Sequence, residues 1–239
     1  MNKKITLFLL IITVLFFSGC TKKVQVNDIK PSSIPGNLDL PEMPDKSPVN
    51  LSGVDFGKNN KEEASMSAKK ELEKPAMLID NKKSYTAKLQ TDEGEISIKL
   101  FADKTPITAN NFVYLARNDF YNQTIFHRIM ANFMIQGGDP KGDGTGGPGY
   151  RFADEPFEGE YKRGIVAMAN AGPDTNGSQF FIMHKDYSLP PNYVIFGQVI
   201  KGIEVVDKIA TAKTTLSPTG ENSVPVNPVK VSSVTILEE

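Results

Sequence analysis

The sequence predicts a mainly β domain, a closed barrel or a sandwich, carried at the end of a long polar leader. Three observations carry that reading. Short apolar runs recur from Tyr85 to Leu237, separated by Gly, Asn, Asp and Pro. Only two stretches in this region show helical spacing of apolar residues. Many short strands with few helices are the pattern of closed or stacked antiparallel sheets. The third observation is a break in composition near Ser84, before which prolines and charged residues dominate.

In chain order, Met1-Asn2-Lys3-Lys4 is a short basic segment, and Ile5 to Phe17 is apolar apart from Thr6 and Thr13. This run is shorter than the about 20 apolar residues a membrane-spanning helix needs. It fits the apolar core of a secretory signal. It ends in Phe17-Ser18-Gly19-Cys20, and Cys20 is the only cysteine of the chain. Small residues followed by Cys resemble the lipobox of bacterial lipoproteins, although Phe17 stands where Leu is usual. That resemblance implies a signal peptide over 1–19, cleavage before Cys20 and acylation of its thiol. A diacylglycerol there would supply two chains, enough for stable anchoring. The expectation is therefore a chain held at the outer, extracytoplasmic face of the cell membrane.

Residues 20–83 read as a flexible linker. Pro31, Pro35, Pro41, Pro44, Pro48 and Pro75 stand among Lys, Glu, Asn and Ser, with Phe56 as the sole aromatic. Such a stretch buries too little apolar surface to offset its ordering entropy. Glu62 to Lys74 has the composition of a transient charged helix. A spacer is the first reading of the linker, and a partner-binding region is its rival.

From Ser84 onward the pattern is regular. Tyr85–Gln90 and Glu95–Phe101 alternate on either side of Thr91-Asp92-Glu93-Gly94, which is turn chemistry, so they read as a hairpin. Ile96, Ile98 and Leu100 share one face. Thr105-Pro106 supplies an N-cap and a first helical residue. Ala109, Phe112, Val113 and Ala116 follow at helical spacing, closed by Asn118 and Asp119. Strands are expected at Phe126–Met130, Phe133–Gln136, Gly164–Ala169, Gln179–Met183, Val194–Ile200 and Val229–Leu237. A second helix is expected at Gly202–Ala210, with Ile203, Val206, Ile209 and Ala210 on its apolar side.

The stretch FHRIMANFMIQGGDP, Phe126 to Pro140, is the chemical centre of the domain. Alternation places Phe126, Arg128 and Met130 on one strand face, with His127 and Ile129 on the other. Met134 and Gln136 then share a face of the next strand. Arg is seldom buried without a partner, so Arg128 either keeps a sheet edge soluble or sits in a cleft. The stretch Gly142-Asp143-Gly144-Thr145-Gly146-Gly147 lacks the Gly-Lys-Ser/Thr ending of a phosphate loop and precedes no helical pattern. It reads as a loop with positive φ angles. A balance of 27 Lys and Arg against 28 Asp and Glu gives no case for nucleic acid. One Cys and two His do not make a structural zinc site.

Taken together, FHRIMANFMIQGGDP, Gly144-Thr145-Gly146-Gly147 and GIVAMANAGPDTNGSQFFI from Gly164 to Ile182 closely resemble the cyclophilins, the cyclosporin-binding peptidyl-prolyl cis/trans isomerases. The resemblance runs from about Tyr85 to the C-terminus. It implies a closed eight-stranded antiparallel β-barrel capped by two α-helices, over 84–239. It also implies that Arg128 is catalytic and that Phe133, Met134 and Phe181 line a proline pocket. Gln136, Asn170 and Gln179 match groups that hold the substrate backbone, and Ala169 matches the floor beside the flanking residue. Leu189 and Tyr193 complete the set, Tyr193 standing where many members carry His. Ser188 stands where human-type members carry a Trp that contributes to cyclosporin binding. Ala131-Asn132 replaces the usual Pro-Gly, and Asn tolerates a left-handed turn.

The implied function is acceleration of X-Pro isomerisation in the folding of exported proteins. Its partners would be proline-containing polypeptides and the membrane, with no nucleic acid, no cofactor and no metal, and the protein a monomer. A proline-peptide binding module or surface adhesin, gripping without catalysis, is the alternative. His127 and His184 read as structural, and Asp139 and Asp174 as turn residues.

Overall fold

A computed structural model of the chain describes residues 72–239. The expected signal peptide, Cys20 and the linker as far as residue 71 lie outside the described residues. Of the segment Glu62 to Lys74, only 72–74 are described, and these are not helical.

The elements in order are β1 (Tyr85–Thr91), β2 (Gly94–Leu100), α1 (Pro106–Arg117), β3 (Thr124–Ile125), β4 (Arg128–Met130) and β5 (Met134–Gly137). They continue as β6 (Ile165–Met168), β7 (Phe180–Met183), β8 (Ile195–Lys201), α2 (Ile203–Ala210), β9 (Thr214–Leu216), β10 (Asn222–Pro225) and β11 (Lys230–Glu238). Nine strands form one curled antiparallel sheet in the order β3-β11-β1-β2-β8-β6-β7-β5-β4, while β9 and β10 make a separate hairpin. The hairpin β1–β2 pairs Tyr85 with Leu100 and Thr91 with Gly94. Its inward residues Tyr85, Ala87, Leu89, Ile96, Ile98 and Leu100 are all buried, as period-2 alternation requires.

The expected closed, eight-stranded ladder is corrected to this nine-strand sheet with two edges. Phe126 and His127 are the reason. The expected strand Phe126–Met130 is interrupted there, and the chain passes from the β3 edge to the β4 edge. The Phe126 amide donates to Val229 O at 3.0 Å. Its ring turns into the core against Phe180, with centroids 6.4 Å apart. Phe126 therefore does not share the face of Arg128. A single bridge, Ile125 to Asp139, is the remaining backbone link across this gap.

Helix α1 buries the four residues its spacing singled out, Ala109, Phe112, Val113 and Ala116. Phe112 is fully buried and meets Tyr121, Phe180 and Phe196 at centroid distances of 4.8, 5.4 and 5.4 Å. The cap differs from expectation. Thr105 makes no side-chain cap bond, because its hydroxyl donates to Ile195 O at 3.2 Å. The first-turn amides go instead to Glu155, with Thr108 N–H 2.6 Å and Ile107 N–H 3.1 Å from its two oxygens. A carboxylate at a helix N-terminus is favoured by both the orphan donors and the helix dipole. Glu155→Ala is expected to lose about 2 kcal/mol of stability. Glu155→Gln, which keeps one acceptor, should lose less. Paired thermal melts test this order, and equal melting temperatures for all three chains would refute it.

Residues 72–80, grouped with the linker by composition, are tied to the domain. Asn110 Oδ1 accepts from Leu78 N–H and Ile79 N–H at 2.7 and 3.3 Å, and Asn110 Nδ2 donates to Ala76 O at 2.9 Å. Leu72 N–H donates to Pro148 O at 3.0 Å. One helix asparagine thus supplies the backbone partners that this segment lacks for itself.

Candidate functional site

The buried apolar residues fall into two clusters. One lies between the helices and the sheet and includes Phe112, Phe126, Phe180 and Phe196. The other comprises Met134, Tyr161, Ala167, Phe181, Met183 and Ile195, with Met130, Phe133, Ala169, Leu189 and Tyr193 partly buried against it. The second cluster thus unites six residues singled out in the sequence: Phe133, Met134, Ala169, Phe181, Leu189 and Tyr193. It forms on the outer side of β4, β5, β6 and β7, because adjacent residues of a strand face opposite ways. Phe180 enters the first cluster and Phe181 the second.

The β4–β5 register puts Arg128 opposite Gln136, Ile129 opposite Ile135 and Met130 opposite Met134. The turn between them holds Asn132 at φ 64°, the left-handed conformation expected of Asn there. Phe133 lies in this turn rather than in β5. Gly138, just past β5, has φ 80°, and a Cβ there would lie 2.5 Å from Ser178 O. Only Gly fits that position.

Arg128 stands at the edge of the apolar cluster, its side chain 33% exposed. Nη1 donates to Gln136 Oε1 at 3.3 Å and lies 3.9 Å from Met134 Sδ. The guanidinium carbon is 5.9 Å from the Phe133 ring centroid. Nε and Nη2 donate to the two oxygens of Glu221 at 2.6 and 2.8 Å. This bidentate pair, with a hydrogen bond from Ser223, holds the Glu221 carboxyl down to about 2.

A polar chain runs onward from Arg128. Gln136 Nε2 donates to Gln179 Oε1 at 3.0 Å, and Gln179 Nε2 donates to Gly144 O and Gly146 O at 2.9 Å each. Asn170 Nδ2 donates to Asn192 O at 2.8 Å. Gln136, Ala169, Asn170 and Gln179 line a cavity of about 700 Å³ whose opposite wall is the loop from Gly144 to Arg151. That glycine-rich loop is held by Asp139, which is fully buried and accepts from the amides of Lys141, Asp143 and Gly144. Positive φ angles at Gly142 and Gly144 agree with the loop reading. Arg128 is thus placed between an apolar cluster and a polar groove, with Ala169 common to both.

Two contributors escaped the sequence reading. Tyr161 anchors the far wall: its hydroxyl donates to Tyr193 O at 2.9 Å and accepts from Tyr193 N–H at 3.1 Å. It sits in a loop with no strand pattern to announce it. Glu221 precedes β10, in a polar segment that no periodicity marks.

His184 supports the site from below, in keeping with a structural part. Its Nδ1 accepts from Asn132 N–H at 2.9 Å, and Nε2 lies 3.2 Å from Asp207. Asp207 is in turn paired with Arg163. Burial pushes the imidazole below its ordinary value of 6.5, although Asp207 pulls the other way. A lowered base favours the neutral ring, so its contribution is present above the unfolded value. It is lost as pH falls, because the unfolded chain then binds a proton that the folded ring resists. Between about pH 7 and pH 5 the melting temperature should fall. His184→Gln, which keeps an acceptor for Asn132 but cannot titrate, should show a shallower fall. Parallel slopes would exclude His184 as the responsible group.

Comparison with known proteins gives the family of the chain. The family model described as "Cyclophilin type peptidyl-prolyl cis-trans isomerase/CLD" matches residues 86–236. A "Peptidyl-prolyl cis-trans isomerase-like 3" from Dictyostelium discoideum is 44% identical over 155 residues, covering 62% of this chain and 92% of the relative. A "Probable peptidyl-prolyl cis-trans isomerase B" from Mycobacterium tuberculosis is 44% identical over 161 residues, 60% of this chain but 52% of that protein. A crystal structure of a cyclophilin type isomerase from Cryptosporidium parvum is 35% identical with a TM-score of 0.59, covering 65% of this chain and 99% of its own. The same protein crystallised in the presence of the dipeptide Ala-Pro gives 35% identity and a TM-score of 0.58, covering 64% of this chain and 99% of its own. The chain belongs to the cyclophilin-type peptidyl-prolyl cis-trans isomerases and is an enzyme of that class.

Proposed function

We propose that this isomerase works on exported polypeptides from a lipid anchor at Cys20, on the extracytoplasmic face of the cell membrane, with Arg128 as its catalytic donor. The single observation that carries the catalytic part is the Arg128 guanidinium poised between Gln136 and the Met134 side of the apolar cluster. The peptide C–N bond resists rotation by about 18–20 kcal/mol. Nothing covalent need change; the enzyme must bind the twisted amide better than either planar form. On twisting, the proline nitrogen regains a lone pair. An Nη1 N–H donated to that lone pair stabilises the twisted state without any proton transfer, and the guanidinium stays charged at any working pH. Phe133, Met134 and Phe181 hold the pyrrolidine ring, while Gln136, Asn170 and Gln179 bind the flanking backbone. Ala169, Leu189 and Tyr193 border the ring's seat. One side of the bond is thereby fixed while the other rotates.

The leader supports the anchoring part. A basic start, an apolar run and Ser18-Gly19-Cys20 precede a Pro-rich segment of more than fifty residues. Such a spacer allows the domain to reach clients away from the bilayer surface. Uncatalysed X-Pro isomerisation takes about 10–100 s at 25 °C, slow enough to delay folding after export.

Metabolic labelling with a radioactive fatty acid tests the anchor. Label in the full chain that vanishes in Cys20→Ala, with release of the protein from the membrane fraction, is the expected result. An unlabelled full chain would sink this reading. Line-shape exchange on an X-Pro peptide with the full chain tests catalysis; binding without faster exchange would favour the gripping module instead.

A further inference from the structure

We infer that Glu221 is a positioning residue for the isomerase reaction, and that the β9–β10 hairpin belongs to the active site through it. The inference rests on the reading of Arg128 as the catalytic donor.

The geometry is specific. A guanidinium has five N–H donors in a rigid fork, and a carboxylate matches two of them along one edge. Glu221 takes the Nε and Nη2 edge, at 2.6 and 2.8 Å. The remaining Nη2 direction lies 3.4 Å from Met130 Sδ. That leaves Nη1, which has a long bond to Gln136 and only a thioether at 3.9 Å on its other side. A thioether sulfur is a weak acceptor, so this N–H is the donor a substrate can claim. Glu221 therefore decides which nitrogen of Arg128 faces the proline seat. It also removes rotational freedom that an unpaired arginine at an exposed edge would keep.

Glu221 is itself fixed. Its N–H donates to Ser217 Oγ at 3.1 Å, and its carbonyl accepts from Ser217 N–H at 2.7 Å. Gly220, at φ 86°, makes the turn that brings the carboxylate back toward β4. Strand β10 lies against β4, which carries Arg128. A contact spanning 93 residues of sequence is thus held at both ends by backbone.

The test is a double-mutant cycle in the full chain: wild type, Glu221→Ala, Arg128→Ala and the double variant. Each is assayed for kcat and KM by exchange on an X-Pro peptide, with circular dichroism confirming the fold. Glu221→Ala is expected to lower kcat about tenfold, since misplacing a catalytic group costs at least that much, while KM changes less than about twofold. In the Arg128→Ala background the same substitution should change nothing, because the group it positions is gone. Glu221→Gln, with one neutral acceptor, should fall between wild type and Glu221→Ala. If Glu221→Ala does not fold, the same cycle with Glu221→Gln decides the matter. An unchanged or raised kcat, a loss carried by KM alone, or an equal loss in both backgrounds would overturn the inference. Full activity in Arg128→Ala would instead overturn the reading of Arg128 itself, so the two failures are told apart.

Discussion

Arg128→Ala should reduce kcat/KM for X-Pro isomerisation by about 10²–10³, the loss seen when one preorganised donor is removed from a site that works by electrostatic stabilisation. The reason lies in what surrounds it. Met130, Met134 and Phe133 offer sulfur and ring faces, and the Gln136 amide already donates to Gln179. The other cation described against the apolar cluster is Lys104, whose Nζ lies 5.6 Å from the ring centroid of Phe101, and no contact described for it reaches Phe133, Met134 or Gln136. Arg128→Lys should recover little. A lysine is a point charge with three donors and no planar fork, so it cannot bridge both oxygens of Glu221, hold Gln136 and still present a free N–H. Single-turnover or line-shape kinetics at matched KM would show the effect in kcat. A variant within twofold of wild type would remove Arg128 from the mechanism.

Phe112→Ala should cost about 3–5 kcal/mol of stability. The side chain is fully buried and three aromatic rings, Tyr121, Phe180 and Phe196, converge on it. Truncation would leave a void that α1 and the sheet close only in part, because the neighbouring rings are themselves pinned. Tyr121 and Phe180 meet at 5.7 Å and 89°, and Phe180 also packs on Phe126. A melting temperature lower by about 10 °C or more is expected for a domain of this size. Below its own transition the variant should keep the wild-type KM, since Phe112 belongs to the core cluster and not to the one beside Arg128. Denaturation by urea, followed with the isomerase assay at low temperature, separates the two. A stable Phe112→Ala, or one that folds but loses substrate affinity, would contradict this division of the interior.

The division explains why so much of the site was legible. In β7 the run Phe180-Phe181-Ile182-Met183 carries two programmes at once, with Phe180 and Ile182 inward and Phe181 and Met183 toward the cluster. The same two-residue period groups Arg128 with Met130 in one strand and Met134 with Gln136 in the next, and the register then sets Arg128 opposite Gln136 and Met130 opposite Met134. Alternation is a property of neighbouring residues, so it survives in the bare sequence. It fails at Phe126, because a strand that must change edges stops being a strand, and no local pattern states where a sheet runs out of partners.

The residues that went unseen share a physical trait: each acts on something distant through polar atoms. Glu155 binds a first-turn amide of α1 that lies 48 residues earlier, and Asn110 holds a segment more than thirty residues before it. Glu221 stands in Ser-Pro-Thr-Gly-Glu-Asn-Ser, where no apolar period marks a strand. A hydrogen bond needs one donor and one acceptor in the right place, and chain spacing does not encode that place.

The resemblance to the cyclophilins named the apolar residues of the site and the arginine among them, whereas the patterning of the sequence by itself determined the local grammar: most of the strands, both helices and the turn at Asn132. These follow from side-chain periodicity and backbone preference, which act between near neighbours. Only the tertiary structure decided that the sheet has nine strands and two edges, that Thr105 gives up its cap to Glu155, and that Arg128 meets Glu221. Those outcomes depend on which polar groups the fold brings within about 3 Å of one another, and that is settled only once the apolar faces have packed.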